Sequence, residues 1–447
     1  MNIGFGKFGK SIKFNYKKWG LHGGDAAPSI LLSALSQKFP EDTFYVLGRN
    51  DLVDVDEKMF EEYFPFGNVI NVWKDYKSIT EDIIINNKEK YRDFRFLDKW
   101  LKHNKVKLDT ALFFSGPATN MSMPGMFNKL NKDGTVSDDK YIILMMGANY
   151  AAPLNYLLNV QQDIPFINIC EDPRYFPLGA QDLFRRPNIT LGQYNDKREK
   201  FHFTDWDHSH KKSVDEVIYA MTETIFAIGD SPYNIDELFN KKMGKNSKFM
   251  NVYMNQGLGS GGLDRGPIIK EWVLDMFNKD IKIHGKWNEP WADMPNFTAT
   301  AMQDLTDEME HTKYTLVVPV KKAWATSKFW KMLHFGILPF MHIEYDTQHN
   351  ITVDDFLRVK SPKEFAEKLQ YLEDNPEAYK KIFYESMTML TENIYNGKAL
   401  ITNIYNSIYQ LTGNNKEFVF PDNEIKIPVN SFVSNINIKP SVCKSLF

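Results

Sequence analysis

Short apolar runs, each ending in a polar or glycine-containing turn, recur along the chain and alternate with amphipathic segments of helical length. The first run is Asn2 to Phe8. A loop carrying Gly20, Gly23 and Gly24 leads into a helix over Ala26 to Lys38, and a buried strand over Thr43 to Leu47 follows. Strand, loop, helix and strand in that order open a Rossmann-type unit. Residues 51 to 107 are rich in charge and aromatics and read as a helical insert. Leu108 to Ser115, Lys140 to Met146 and Phe166 to Cys170 read as further strands, and residues 179 to 215 as an extended polar loop. Thr224 to Gly229 predicts one more strand.

The pattern then starts again. Phe249 to Met254 is a strand, QGLGSGGLDRG (256–266) a loop, and Pro267 to Asn278 a helix. Strands over Ile281 to His284 and Tyr314 to Val320 precede a helix over Thr326 to Phe335, a stop at Gly336 and a strand over Ile337 to Ile343. Amphipathic helices follow around 362–373, 376–391 and 398–411, and an Asn- and Pro-rich tail runs from 413. The expected division is a domain over 1–235, a second over 236–412, and a tail over 413–447. Two successive Rossmann-like units with no GxGxxG fingerprint point to the GT-B class of α/β fold, with the active site in the cleft between halves, rather than to a dehydrogenase.

A length of 447 residues suits two domains, and the 43% hydrophobic, 25% charged composition is that of a globular protein. The net charge of −3 gives no global attraction to nucleic acid, so any DNA contact rests on a local basic face. The two cysteines, Cys170 and Cys443, cannot form a disulfide framework, as expected in a reducing cytoplasm. No signal peptide and no apolar stretch of membrane-spanning length is present, so a cytoplasmic protein that does not enter membranes is expected.

The loop 256–266 holds five glycines in eleven residues, and Arg265 stands at the start of the next helix. Backbone N–H groups, including those of Gly257, Gly259 and Ser260, with a helix N-terminus and a guanidinium, make an anion site. A flexible loop has the same composition. Asp172 follows the strand 166–170 at its carboxyl end, where a general base would stand; a turn-forming Asp paired with Arg174 is the commoner reading of the residues alone. Asp25 precedes the first helix as an N-cap, with a sugar or acceptor contact as the lesser reading. Asp54-Val55-Asp56 lies in the charged insert and carries no metal assignment. Asp205, Asp207, His208 and His210 read as a solvated loop, so no metal ligand is assigned.

Taken in order, KLDTALFFSGPATNMSMPG (107–125), IPFINICEDPRYFP (164–177), the loop 256–266, TSKFWKMLHFGILPFMHIEYDTQHNI (326–351) and SPKEFAEKLQYL (361–372) resemble the DNA β-glucosyltransferases of T-even phages. The resemblance implies inverting transfer of a sugar, with UDP-glucose as donor, to hydroxymethylcytosine or a related hydroxymethylated base in duplex phage DNA, in the host cytoplasm. It implies Asp172 as catalytic base, and Thr326, Lys328 and Lys331 as donor-site positions beside the loop. It adds an acceptor side formed by Asp25, Ser115, Asn120, Arg174, Arg185 and Arg186, and Mg2+ or Mn2+ as an assisting cation. The sequence departs from the family twice. The loop offers one arginine, Arg265, where the family has two, and Lys331 stands where the family has a ribose-binding glutamate; a lysine cannot accept hydroxyl hydrogen bonds. Basic residues cluster in the first half (Lys7, Lys10, Lys13, Lys17 and Lys18; Arg185, Arg186, Lys197, Arg198 and Lys200; Lys211 and Lys212) among aromatics, the composition of a face that follows phosphates and holds a flipped base. A monomer is expected. The rival readings are a glycosyltransferase acting on a glycan, lipid or protein, and a non-catalytic protein binding a nucleotide sugar or nucleic acid.

Overall fold

Runs of three to six mostly apolar residues form the first sheet. Its strands are β1 (Asn2–Phe5), β2 (Thr43–Val46), β3 (Val69–Asn71), β4 (Thr110–Ser115), β7 (Phe166–Cys170), β8 (Asn188–Gly192) and β9 (Glu216–Tyr219). β5 (Met123–Leu130) and β6 (Val136–Met145) form a separate hairpin. The structure is a computed structural model. It describes residues 1–6, 26–48, 57–75, 88–115, 123–130, 136–145, 160, 163–170, 188–192, 216–219, 222–229, 234–257, 264–300, 305–319, 327–343 and 355–427. The chain divides into two compact units, one formed by the described residues up to Ile225 and again from Ala399, the other by those from Phe226 to Lys398.

The first unit's strands are ordered β3-β2-β1-β4-β7-β8-β9, and every neighbouring pair is parallel. The order runs outward from β1 in both directions, which makes the carboxyl ends of β1 and β4 the topological switch point. Helix α1 (Ala26–Lys38) is buried almost all round: Ile30, Leu31, Leu32, Ala34 and Leu35 are covered, and so are Ser29, Ser33 and Ser36. Serines are tolerated there because they bond backbone, Ser33 Oγ donating to Tyr63 O and Ser36 Oγ to Ser33 O. At the end of this helix Asn68 Nδ2 donates to the carbonyls of Ser36, Phe39 and Asp42.

Four sequence expectations change in this unit. The insert over 51–107 is not wholly helical. It holds α2 (Glu57–Tyr63) and α3 (Lys88–His103), but between them lies β3, the edge strand of the sheet. The polar stretch 179–215 contains β8, an inner strand. The run over Lys140 to Met146 belongs to β6, which pairs antiparallel with β5 and stays out of the main sheet. Thr224 to Gly229 falls on a 3-10 turn over Thr222–Ala227 and the turn that follows it, with Ile225, Ala227 and Ile228 buried. Short apolar runs report burial but do not separate a strand from a tight helix.

The second unit repeats the strand order. After α4 (Ile235–Met243), one strand is split at Asn251 into β10 (Lys248–Met250) and β11 (Val252–Tyr253). β11 pairs with β12 (Ile283–His284) and β12 with β13 (Phe297–Thr298). β10 pairs with β14 (Thr312–Val317), then come β15 (Leu338–His342) and β16 (Arg358–Val359), all parallel. Helix α5 (Gly266–Ile269) runs on as a π-helical turn over Lys270–Leu274, α6 (Thr306–His311) leads into β14, and α7 (Ser327–His334) joins β14 to β15. Phe329, Trp330, Met332 and Leu333 of α7 are buried. The expected stop at Gly336 is there: its φ is +65°, Gly336 N donates to Leu333 O at 2.7 Å and Ile337 N to Met332 O at 2.9 Å. A Cβ on Gly336 would lie 2.7 Å from Leu238 and 2.8 Å from Phe383. Gly336→Ala is therefore expected to destabilise the unit by about 2 kcal/mol, read as a lower urea midpoint with unchanged slope.

Helices α8 (Pro362–Asp374) and α9 (Pro376–Met389) complete this unit, while α10 (Lys398–Thr412), placed by the sequence reading with the second domain, belongs from Ala399 to the first unit. Tyr405 of α10 donates its hydroxyl to Asp42 Oδ2 at 2.8 Å, and Phe39 stacks on Tyr405 at 3.6 Å between centroids. The following residues to 427 are held on the same unit: Gln37 Nε2 donates to Lys426 O, Lys426 N to Gln37 Oε1, and Lys38 Nζ to Pro421 O. Among the described residues no helix is long and apolar enough to cross a membrane.

Candidate functional site

In the second unit two parallel strands begin as neighbours and then part. The ladder between β10 and β14 runs Lys248↔Thr312 and Met250↔Tyr314, with a further bond from Asn251 N to Tyr314 O. Beyond it Tyr253 and Met254 on one side, and Thr315, Leu316, Val317 and Val318 on the other, line a recess. Arg265, Lys328 and Met332 complete the lining. The recess therefore sits toward the carboxyl ends of β11 and β14, the two strands at which this unit's order reverses, where open α/β sheets bind ligands.

The base of the loop 256–266 is fixed at both ends. Gln256 N donates to Lys286 O at 2.9 Å, and Arg265 N closes the loop onto Gln256 O at 3.1 Å. The Gln256 side chain donates to Asp264 Oδ1 and accepts from Asn288 N, and Asp264 Oδ1 also accepts from Gly266 N at 3.0 Å. Gly285 permits the close approach of the neighbouring turn: a Cβ there would lie 2.1 Å from Met254 O, and its φ is +152°. Pro267 in the first turn of α5 costs no helical hydrogen bond.

Arg265 Nη1 donates to Asn255 O at 2.8 Å, and Lys328 Nζ to Tyr253 O at 3.1 Å. Lys331 follows Lys328 by three residues on α7, which places both on one side of the helix. Burial, then the positive charges of Lys331 and Arg265, push the Lys328 ammonium down to about 7. An anion entering the recess would relieve that repulsion. Apolar lining with two cationic side chains among it suits an anionic ligand.

Behind this recess lies a polar cluster that sequence reasoning missed. Glu308 Oε1, on α6, accepts from Asn251 Nδ2 at 2.7 Å and Tyr253 Oη at 3.2 Å, and lies 2.8 Å from His284 Nε2. Its Oε2 accepts from Lys248 Nζ at 2.9 Å. Tyr253 Oη is also 2.9 Å from Thr312 Oγ1, and the Tyr253 and His284 rings stack 5.3 Å apart at 10°. Burial alone would raise the Glu308 carboxyl; the His284 and Lys248 donors outweigh it and hold the group at about 2. Spacings of 24 to 60 residues separate Glu308 from Lys248, Asn251, Tyr253 and His284, so no local motif announces them.

Of the sequence candidates, the structure brings Arg265 and Lys328 together on the recess, with Lys331 one turn along and Gly257 at the loop's entry with φ +96°. Ser115 ends β4, level with Cys170 at the end of β7. Asp25, Asn120, Asp172, Arg174, Arg185, Arg186, Gly259, Ser260 and Thr326 lie outside the described residues, as do Asp205, Asp207, His208 and His210. Among the described residues no group of three His, Cys, Asp or Glu side chains is placed to hold a metal ion.

With two Rossmann-like units of repeated strand order established, known structures decide the fold. Sucrose-phosphate synthase from Thermosynechococcus elongatus superposes with a TM-score of 0.50 at 9% identity, covering 92% of this chain and 99% of that one. The fold is that of the GT-B glycosyltransferases. The DNA-modifying enzyme β-glucosyltransferase, solved in the presence and absence of uridine diphosphoglucose, matches over the same shares of the two chains at 12% identity and a TM-score of 0.49. WaaG, a glycosyltransferase involved in lipopolysaccharide biosynthesis, covers 92% of this chain and 100% of its own, at 12% identity and a TM-score of 0.42. No family model and no curated protein sequence matches the chain.

Proposed function

We propose that the protein is an inverting glycosyltransferase that moves a sugar, glucose in the first instance, from a UDP-sugar to a hydroxymethylated pyrimidine in duplex DNA. The observation that carries the reading is the recess at the second unit's switch point, with Arg265 and Lys328 at its lining and Arg265 N closing onto Gln256 O at the base of the loop 256–266. In this reading the nucleoside lies against Val317, Val318 and Met332, and the diphosphate meets the two cations and the loop N–H groups, including those of Gly259 and Ser260, with Thr326 as a further donor contact.

Asp172 is the base. Its carboxylate takes the proton of the base's hydroxymethyl group as that oxygen attacks the anomeric carbon, the bond from that carbon to the diphosphate breaks, and the departing UDP carries the negative charge that Arg265 and Lys328 balance. Asp172 follows Cys170 by two residues, and Cys170 ends a strand level with Ser115 in the first sheet. Asp25, Asn120, Arg174, Arg185 and Arg186 form the acceptor side, the arginines meeting DNA phosphates as the protein acts as a monomer. Mg2+ or Mn2+, when bound, would neutralise the leaving diphosphate.

The test is a transfer assay against a panel of UDP-sugars and duplex DNAs carrying cytosine, hydroxymethylcytosine or hydroxymethyluracil, read as nucleoside masses. A hexose gain on one hydroxymethylated base is expected. UDP-sugar consumption with no gain on any DNA would move the acceptor to a glycan, lipid or protein and keep the donor side of the reading.

A further inference from the structure

We infer that Glu308 is the positioning residue of the donor site, acting through Tyr253 on Lys328; the inference rests on the reading that the recess holds the donor's diphosphate. The strand that carries Tyr253 has little backbone support where it matters. β11 joins β12 by only two register pairs, Val252↔Ile283 and Tyr253↔His284, and its ladder to β14 has ended by Asn251. Parting from β14 is what opens the recess, and a strand that parts must be held by something other than that ladder.

Side chains do the holding. Glu308 reaches residues before, at and after the split: Lys248 at the start of β10, Asn251 at the break, Tyr253 at the end of β11 and His284 on β12. Asn251 Oδ1 in turn accepts from Lys282 N at 2.9 Å, and His284 Nδ1 lies 2.7 Å from Thr298 Oγ1 on β13. One carboxylate thus ties three neighbouring strand segments to α6. Asn251, Tyr253, His284 and Thr312 are all buried, so these bonds face little competition from water. The same Tyr253 whose hydroxyl is fixed by Glu308 and Thr312 presents its carbonyl to Lys328 Nζ on the recess side. The chain from Glu308 to the cation is therefore continuous: carboxylate, phenol, the Tyr253 backbone, ammonium. Its function would be to hold Lys328 where a phosphate oxygen arrives, since small misplacements of a binding group are expensive.

The experiment measures UDP affinity by calorimetry in the full-length protein. Glu308→Gln is expected to weaken UDP about tenfold, and Tyr253→Phe, which keeps the carbonyl and ring, about threefold. Glu373→Gln is the control for general destabilisation. Glu373 accepts from Lys313 and Tyr314 at the start of β14, at 2.8 and 3.0 Å, without touching the recess, and its loss is expected to lower the melting temperature with UDP affinity unchanged. The decisive comparison is in a Lys328→Met background, where Glu308→Gln should cost no further affinity. The same tenfold loss there, or wild-type affinity in Glu308→Gln itself, overturns the inference. Absence of UDP binding by the wild-type protein would instead overturn the donor reading, and the inference with it.

Discussion

Removing the two cations that line the recess is expected to abolish useful donor binding. Arg265→Ala and Lys328→Met should each cost about 2–4 kcal/mol of UDP affinity, roughly 30- to 1,000-fold, because each leaves a desolvated phosphate without its charged partner. The pH dependence is the sharper signature. In the empty site the Lys328 ammonium is pushed down to about 7 by burial and by Lys331 and Arg265. A bound diphosphate adds opposite charge, which raises it again. The bound state then holds more protons than the free state between about pH 7 and the bound-state value, so affinity is full below pH 7 and falls as pH rises above it, by up to roughly tenfold per unit. Calorimetry at pH 8 in buffers of differing ionisation enthalpy should register uptake of close to one proton. Lys328→Arg keeps a charge that does not titrate in this range and should flatten the profile. A flat wild-type profile would place Lys328 away from the anion.

The second large effect concerns the chemical step. Asp172→Asn keeps the size of the side chain and loses the base, so kcat for transfer should fall about 10²- to 10⁴-fold while UDP affinity stays within about twofold. That split is what separates a base on the acceptor side from a turn-forming aspartate paired with Arg174. Loss of folding together with activity would favour the turn; loss of UDP affinity without loss of kcat would put Asp172 on the donor.

Much of the second unit was legible in the residue pattern because its signals are local. Helix α7 shows a buried face in Phe329, Trp330, Met332 and Leu333, and its end is written in Gly336, which takes the left-handed conformation that closes the helix. The loop 256–266 is conspicuous for its glycines, and Arg265 and Lys328 do share the recess. What was not legible depends on partners far apart in the chain. The strand β8 is short and sits in a polar stretch, so only its neighbours β7 and β9 reveal it as an inner strand. The apolar run in β6 reads the same whether it joins the main sheet or folds back on β5. Helix α10 is amphipathic wherever it packs; Tyr405 on Asp42 and Phe39 is what assigns it to the first unit. Glu308 looks like any helix-surface carboxylate until the fold brings Lys248, Asn251, Tyr253 and His284 to it.

Binding of a nucleoside diphosphate at the switch point of the second unit is best tested by a structure determined with UDP bound. The diphosphate oxygens are expected within hydrogen-bond distance of Arg265 and Lys328, beside the loop 256–266, with the nucleoside against Val317, Val318 and Met332. UDP bound elsewhere on the protein, with this recess unchanged, would contradict it.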